Sequence, residues 1–347
     1  MTTPREQGFA MPAEWARHDR CWMAWPCRSE LWGERMDAAR QTVAELAQTI
    51  ALFEPVTMIA RPDLTAEASL QCGQGISVLP LEHDDSWTRN TAPTFVCSQD
   101  GRLAGIDWRL DGHGEGSSRS AADARLAEAI CERLKVPRFA APVALEGGAL
   151  HVDGEGTCLV CATSVLDPKR NPGLGREDLA EVLADHLGVT KVIWLERGLV
   201  DDPTLGHVDR LACFARPGLV IALSTRDADD ANHAVLQDNL ARLRSESDAQ
   251  GRPLEVVEVE QPAARWHADG RRLSASYVDF YLANGAVIMP MFDDPMDSPA
   301  YKAVSAAFPD RRVVQLDAAD LVYGGGGIHA ITQQQPALPA SGSAAAS

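Results

Sequence analysis

The chain has 347 residues, with 32 lysines and arginines against 49 aspartates and glutamates, so its formal net charge is −17. This deficit of positive charge, without any Lys/Arg-rich run, excludes a protein that binds nucleic acid or an anionic membrane through a basic surface. A cationic small molecule fits the sign better, although acidic surfaces mostly serve solubility. Hydrophobic residues make up 45% and charged residues 23%, which excludes a disordered chain.

The N-terminal stretch lacks the apolar segment of a signal peptide, and no apolar run reaches the roughly 18 residues of a membrane span. We therefore expect a cytoplasmic protein whose eight cysteines are reduced thiols. Cys158 and Cys161 form one CxxC pair, but no second pair completes a zinc site, and their apolar surroundings predict a buried strand. The nine histidines show no HxxxH or HExxH spacing and no nucleotide-binding glycine motif is present, so we expect neither a metal nor another cofactor.

Five amphipathic helices are predicted in chain order, each followed by a strand-like run. In the first, apolar residues from Met36 to Phe53 recur at steps of three and four and precede PVTMIA. The other helices lie at 126–134 before KVPRFA, 179–187 before KVIWL, 229–244 before LEVVEV and 298–308 before RVVQL. Further β-like runs between them read TCLVCA, GLVIAL and GAVIMP. The recurrence suggests internal repeats, although a doubly wound α/β sheet would give a similar alternation.

The domain organisation predicted from this pattern is simple. No linker divides the chain, so we expect a single domain over 11–336. Residues 1–10 are predicted to be an N-terminal tail. Residues 337–347 read ALPASGSAAAS, a low-complexity tail that we expect to be disordered.

Two segments in the first half of the chain place polar groups and glycines beside apolar strands. DDSWTRNTAP, at 84–93, contains Trp87 and Asn90, but alone it is typical of a turn rich in Asp and Asn. LEGGALHVDGEGT places Glu146 before two glycines, which permit close approach of the backbone. His151 and the Asp two residues later fit a Gly-rich hairpin, whereas Glu146 is not explained in that way.

Two further segments lie in the second half. In GHVDR, His207 and Asp209 would leave the same face of an extended segment, and a His beside a carboxylate suits general acid–base work. A buried structural pair is the alternative interpretation of this spacing. In YGGGGIHAITQQQP, four glycines at 324–327 stand in an apolar context, which predicts a loop that wraps a small ligand rather than a flexible linker.

Together with the opening MPAEWARHDRCWMAWPCR, these segments resemble the agmatine deiminase family over about residues 11–336. The motifs that carry the likeness are EWxxHxxxWMAWP, DSWxRxxxPTF, EGGxxHVDGEGT, GHVD, SYVxFYxANGxVIMP and GGGGIHxITQQQP. The resemblance implies an α/β fold of the pentein class, a propeller of five ββαβ-type pseudo-repeats around a central active site. The five helix-then-strand pairs agree with that architecture.

The resemblance also implies a reaction that needs no metal and no organic cofactor. A cysteine thiolate attacks the carbon of a guanidinium group, ammonia leaves, and a His activates water to release a ureido product. Paired carboxylates hold the cation through the fork geometry that a guanidinium presents. The implied partner is a small guanidino or ureido substrate, and the family resemblance also suggests a homo-oligomer.

Carried over residue by residue, the catalytic positions are only partly filled. The resemblance makes His207 the general acid and base, and Glu146 and Asp209 carboxylates on the guanidinium side. The nucleophilic cysteine belongs at position 330, where this chain has Ala330. Because a methyl group cannot form the covalent intermediate, we expect the chain to be inactive by the mechanism of the family.

The implied substrate-binding positions also depart from the family. Trp87, Gly326 and Gly327 match it, and the glycine loop places the residue at position 330. The family has an Asp where this chain has Asn90, which offers one acceptor and two donors and carries no charge. Asn90 therefore suits a neutral ureido carbonyl, and guanidine dihydrolases, which release two ammonia molecules, are similar in having Asn there.

Four more positions differ from the family in ways that concern the substrate. The family has Trp near His113, an acid at Leu205, Asn at Asp279 and Gly at Asp293. Loss of the acid at Leu205 predicts a weaker preference for an amine-terminated chain. The added acids at 279 and 293 would keep negative charge near the substrate, so the substrate tail is left open.

Three explanations of the alanine at position 330 remain. It is a replacement introduced into a working hydrolase and traps the substrate, or it belongs to a natural ligand-binding pseudoenzyme, or the chemistry has changed to a non-covalent reaction at His207 and Glu146. Retention of the other catalytic residues favours the first. Cys213 is the one alternative nucleophile near His207 in sequence, but its apolar LACFA context predicts a core residue.

Overall fold

The structure is a computed structural model that describes residues 2–112 and 121–338. Within these residues the strands form five separate sheets of three or four strands each. Every sheet contains two antiparallel strands followed by a helix and a third strand parallel to the second. This confirms the predicted pentein fold.

The described strands alternate with short and long helices along the chain. The strands are β1 Phe9–Ala10, β2 His18–Ala24, β3 Val56–Ala60, β4 Ile76–Pro80, β5 Thr94–Ser98, β6 Leu103–Arg109, β7 Arg138–Ala144, β8 Leu150–Val152, β9 Thr157–Cys161, β10 Lys191–Leu195, β11 Ala212–Arg216, β12 Leu219–Ser224, β13 Glu255–Glu260, β14 Tyr281–Ala283, β15 Ala286–Met291, β16 Arg312–Asp317 and β17 Thr332–Pro336. The helices are α1 Ser29–Trp32, α2 Met36–Ala51, α3 Thr65–Cys72, α4 Thr88–Thr91, α5 Leu126–Leu134, α6 Ala162–Val165, α7 Arg176–Leu187, α8 His233–Ser245, α9 Asp297–Ala307 and α10 Ala319–Tyr323.

Four units follow one another along the chain, and the fifth joins its two ends. The four are β5–β6–α5–β7, β8–β9–α7–β10, β11–β12–α8–β13 and β14–β15–α9–β16. In the fifth, β17 pairs antiparallel with β2, with Thr332 opposite Met23, and α2 leads to the parallel strand β3. The strand β4, which follows α3, extends this sheet by one parallel strand. The closing strand carries the residues just after position 330 against the N-terminal unit.

The apolar sequence runs explain why these strands lie inside. Strands β9 and β12 are buried along their whole length, as expected for strands that are covered on both faces. In α2, the buried Val43, Leu46 and Ile50 form the apolar stripe that its period of three and four predicts. Cys158 and Cys161 are buried within β9, which confirms that they are core residues.

The five predicted helix-then-strand pairs are all present, and one short strand lies within the predicted N-terminal tail. Residues predicted to be a tail before residue 11 form β1, in which Phe9 pairs with Ser98 of β5 and is buried. Phe9 is apolar, and its burial at the edge of this sheet explains why the segment pairs as a strand. Of the predicted C-terminal tail, 339–347 lie outside the described residues.

Candidate active site

A cavity of about 940 Å³ opens among the loops that leave the sheets. Predicted site residues from distant parts of the sequence meet in its wall. They are Trp87, Asn90, His207, Gly326 and Ala330. Trp87 stands against Trp32, with ring centroids 5.6 Å apart, so an aromatic wall borders the polar groups.

Glu146 lies behind the cavity wall, two residues after β7, and its side chain is fully buried. Its Oε2 is 3.2 Å from Nε2 of His207, while its Oε1 accepts a hydrogen bond from Arg170. Arg170 also pairs with Asp111, with Nη2 and Oδ1 3.1 Å apart. A buried carboxylate held on one side by a guanidinium can orient the imidazole on its other side, as an acid–base site requires.

The second glycine after Glu146 explains how His207 and Asp209 come together. A Cβ atom at Gly148 would lie 2.6 Å from Oδ2 of Asp209 and 2.7 Å from Nδ1 of His207, so only glycine fits between them. The condition of an extended GHVD segment, under which both side chains would share a face, is not met, because a 3₁₀ helix spans Val208–Arg210 directly after His207. Close packing around glycine, rather than strand periodicity, therefore places both side chains.

His329 and Glu14 were missed by the sequence interpretation. Nδ1 of His329 is 2.9 Å from Oδ2 of Asp209, and its Nε2 is 2.9 Å from Oε1 of Glu14. Burial alone would lower the pKa of His329, but Glu14 and Asp209 overcome this and raise it to about 9. Their sequence signal was their place within motifs, since Glu14 opens EWxxHxxxWMAWP and His329 stands in GGGGIHxITQQQP.

Asp279, which the sequence analysis named as an added acid near the substrate, stands beside the same histidine. Its Oδ1 accepts a hydrogen bond of 2.9 Å from the backbone N–H of His329. Burial, together with the charge of Asp209, raises the pKa of Asp279 to about 6. By contrast, the proton on His329 keeps the pKa of Asp209 below its ordinary value in spite of burial.

Ligand atoms of Asp209, Asp279 and His329 all lie within 4.8 Å of one another, a separation that a metal ion could bridge. Both ring nitrogens of His329 are, however, engaged by carboxylates, and its raised pKa keeps it protonated near neutral pH. A protonated imidazole has no lone pair for a metal. The hydrogen bonds of this cluster therefore favour a protonated His329 over a bound metal ion.

The glycine run at 324–327 is explained by close packing. A Cβ atom would overlap the ring of Trp32 at Gly324, the ring of Trp87 at Gly326 and the carboxylate of Asp279 at Gly327. Gly325 has a φ of +93°, in the left-handed region. The first three glycines line the cavity, as predicted for a ligand-facing loop, but Gly327 does not and so is not placed as a substrate-binding residue.

Ala330 lines the cavity at the position predicted for the nucleophile. Its carbonyl oxygen accepts a hydrogen bond of 3.1 Å from the backbone N–H of Arg89, which fixes the chain at this point. All eight cysteines are among the described residues, and none of them lines the cavity. Cys213 is buried in β11, and burial raises the pKa of its thiol well above the ordinary value, so it is a core residue as predicted.

Asn90 and Asp209 each hold one oxygen that is ready for a ligand. Oδ1 of Asn90 and Oδ1 of Asp209 are buried and have no hydrogen-bond partner among the described residues. Asn90 itself lines the cavity. A buried acceptor without a partner costs about 1–3 kcal/mol, so both atoms favour a ligand that donates N–H groups.

Besides Gly327, two predicted substrate-binding residues stand outside the described lining of the cavity. Leu205 and Asp293 do not belong to its described lining; both have positive φ, at 62° and 52°, and stand in turns with exposed side chains. The cavity wall in the first of these turns consists instead of Pro203 and Thr204. Backbone turns in the left-handed region redirect a side chain in a way that spacing does not reveal. His113 lies outside the described residues.

The position of Leu205 gives a stability prediction. Leucine in the left-handed region is strained by about 1–2 kcal/mol, whereas asparagine tolerates it. We expect Leu205→Asn to raise the free energy of unfolding by about 0.5–1 kcal/mol and to leave ligand affinity unchanged, measured by urea denaturation and titration. The matched control is Leu52→Asn, an exposed leucine at a φ of −69°, which should give no gain. A gain at both positions would contradict the strain argument.

The match of this chain to known proteins covers nearly its whole length. A family profile described as Porphyromonas-type peptidyl-arginine deiminase matches residues 10–336. An agmatine deiminase of Pseudomonas putida is 40% identical over 359 residues, which cover 97% of this chain and 98% of that protein. An agmatine deiminase of Stutzerimonas stutzeri is 39% identical over 364 residues, with 97% and 98% covered.

A solved structure of an agmatine deiminase is also similar to this chain over nearly its whole length. The agmatine deiminase of Enterococcus faecalis has a TM-score of 0.93 and 33% identity, covering 97% of this chain and 98% of that chain. Within 2–112 and 121–338, no helix combines the length and apolar character needed to cross a membrane. Family match, relatives and fold agree: the chain belongs to the Porphyromonas-type peptidyl-arginine deiminase family.

Proposed function

We propose that this chain binds a small guanidino or ureido compound in the cavity and, with Ala330 in place of the nucleophile, does not hydrolyse it through a thiolate. The observation that carries the proposal is the pair of buried acceptor oxygens, on Asn90 and Asp209, that have no partner among the described residues. Asn90 and His207 line the cavity together with Ala330, whereas Asp209 and Glu146, which pairs with His207, are buried outside its described lining. The relatives named agmatine deiminases support a guanidino compound as the ligand class.

The roles of the site residues follow from their chemistry. Asp209, kept ionised by the charge of His329, would accept N–H groups and stabilise a cation. Glu146 orients His207, which in a working hydrolase would protonate the leaving ammonia and then activate water. What is missing is the covalent step, because Ala330 cannot form a bond to the guanidinium carbon.

Asn90 favours a second candidate function, hydrolysis of the ureido product as well as of the guanidino substrate. Its side chain lines the cavity with an acceptor and two donors and no charge, so a neutral ureido group is bound as readily as a cation. With a cysteine at position 330, the ureido product would then be attacked in turn, and two ammonia molecules would leave. With Ala330, the same property makes the chain a binder of both compounds.

Replacement of Asn90 by Asp tests the ligand class. We expect calorimetric titration of the unmodified chain to show saturable binding of agmatine and of its ureido counterpart, with dissociation constants within about tenfold of each other. Asn90→Asp should tighten agmatine binding by roughly tenfold, since a charge-assisted hydrogen bond adds about 1–2 kcal/mol, and should not tighten the ureido compound.

The control for this titration is Arg271→Gln at the rim of the cavity. It changes the net charge by the same amount, and the Arg271 side chain is 64% exposed and pairs with Asp269. Equal tightening by Arg271→Gln would show that only the overall charge matters. Failure of the unmodified chain to bind either compound would refute the proposed function.

A further inference from the structure

A chain of alternating charges lies behind the cavity. It runs from Asp209 to His329, from His329 to Glu14, and from Glu14 to Arg89, whose Nη1 is 3.2 Å from Oε1 of Glu14. All four residues are buried. Among the described residues, none of the four belongs to the lining of the cavity, but the carboxylate of Asp209 lies beside His207, which does line it, with Gly148 between them.

The cost of this arrangement argues for a role beyond stability. Buried ion pairs must overcome the desolvation of each charge, and apolar residues of similar volume are often as stable or more stable. The ring of His329 donates from both nitrogens, so it cannot rotate, and it fixes Oδ2 of Asp209. Oδ1 of the same carboxylate then has one orientation and no partner among the described residues.

The backbone of His329 is held as firmly as its ring. Its N–H donates to Oδ1 of Asp279 at 2.9 Å, and its carbonyl oxygen accepts from Nε of Arg89 at 3.3 Å. The next residue is Ala330, whose own carbonyl accepts from Arg89. One histidine thus ties the position of residue 330 to the orientation of Asp209.

We infer that His329 is a positioning residue that holds the Asp209 carboxylate with its Oδ1 directed at the ligand, and that Glu14 is the second anchor of the His329 ring. The inference rests on the proposed function, because it assumes that Asp209 contacts the guanidino group. Without the imidazolium, burial would favour the protonated form of Asp209, and only the smaller effects of His207 and Arg210 would oppose it. A neutral Asp209 would no longer stabilise the charge of a guanidinium group, but it would still form a hydrogen bond with a ureido group.

His151 provides a matched control in the same cluster. Its Nε2 is 3.6 Å from Oε2 of Glu14, and its Nδ1 accepts a hydrogen bond of 3.3 Å from the backbone N–H of Phe214. Its ring centroid is 6.5 Å from that of His329, so both histidines share the burial and the anchor. Only His329 is hydrogen-bonded to Asp209. Replacement of either histidine should therefore disturb the packing of the cluster, whereas only replacement of His329 should specifically weaken agmatine binding.

The test is calorimetric titration of the full chain and its His329→Asn and His151→Asn variants with agmatine and with its ureido counterpart, beside thermal unfolding. We expect His329→Asn to weaken agmatine at least tenfold and the ureido compound less than about threefold, while His151→Asn changes neither by more than twofold. Glu14→Gln keeps the imidazole hydrogen-bonded but removes the anchoring charge, and should weaken agmatine about three- to tenfold. It provides the test should His329→Asn fail to fold.

Three outcomes would overturn the inference. A folded His329→Asn, or Glu14→Gln, with unchanged affinity for agmatine would show that Asp209 needs no such support. Equal losses for the two histidine variants, or equal losses for the two compounds, would show a structural role alone. Absence of binding by the unmodified chain would remove the proposed function, and the inference with it, whereas binding that His329→Asn leaves intact removes the inference only.

Discussion

Ala330→Cys is expected to give the chain a turnover that the parent lacks, with agmatine hydrolysis at least about a thousandfold above the parent. Position 330 lines the cavity together with His207 and is held by a hydrogen bond from the backbone of Arg89. The acid–base pair of Glu146 and His207 is already assembled, at 3.2 Å. Loss of the nucleophile from such a catalytic unit lowers kcat by up to about 10⁶-fold, so restoring it should recover a large part of that factor.

The assay follows ammonia and organic products by mass spectrometry. Ala330→Ser serves as the matched control, because a hydroxyl is not ionised as a thiol is and should give no comparable gain. Adding His207→Asn to Ala330→Cys should abolish the gain. One ammonia per substrate would identify a deiminase and two a dihydrolase, the outcome that Asn90 favours. An inactive but folded Ala330→Cys that still binds agmatine would contradict a hydrolase lacking only its nucleophile.

Asp279→Asn is expected to stabilise the protein by about 3 kcal/mol at pH 8. The pKa of Asp279 is raised from 3.8 to about 6 by burial and by Asp209, so the folded state holds this proton more tightly than the unfolded chain does. Its stabilising effect is complete below about pH 4 and is lost as pH rises through about 6. At pH 8 the ionised, buried carboxylate costs about 1.4 kcal/mol for each of roughly two pKa units.

Asparagine avoids this cost and keeps the useful contact. Its Oδ1 can still accept the hydrogen bond that the His329 N–H donates at 2.9 Å. Urea denaturation should therefore show an advantage that falls to about half at pH 5. Asp293→Asn, which removes the same charge from an exposed turn, should change stability by less than about 0.5 kcal/mol at either pH. A pH-independent advantage of Asp279→Asn would refute the assigned pKa.

The elements and the acid–base pair could be predicted because their signals are local. The helix over α2 follows from apolar residues at steps of three and four, and the buried strand β9 from its uninterrupted apolar run. Glu146 stood out as a carboxylate before two glycines, and Gly148 does leave the space in which His207 and Asp209 approach. These features could therefore be predicted from short stretches of the sequence.

The remainder of the site depends on contacts between distant residues. Glu14 and His329 are 315 residues apart in sequence, and only the pairing of β17 with β2 brings the two ends of the chain together. Leu205 and Asp293 stand outside the described lining of the cavity, and each occupies a turn of positive φ, which spacing within a motif does not indicate. The glycine run was correctly interpreted as facing the cavity, but the reason for it, overlap with Trp32 and Trp87, required the fold.

The central claim is that this chain holds a guanidino or ureido compound without consuming it, and the unmodified protein provides the most direct test. The chain is incubated with agmatine and its ureido counterpart, bound compound is measured after rapid gel filtration, and ammonia is counted in the same samples beside Ala330→Cys. The account predicts stoichiometric retention of unchanged compound by the parent, with ammonia released only by the cysteine variant. Ammonia released by the parent, or no retention by either protein, would contradict it.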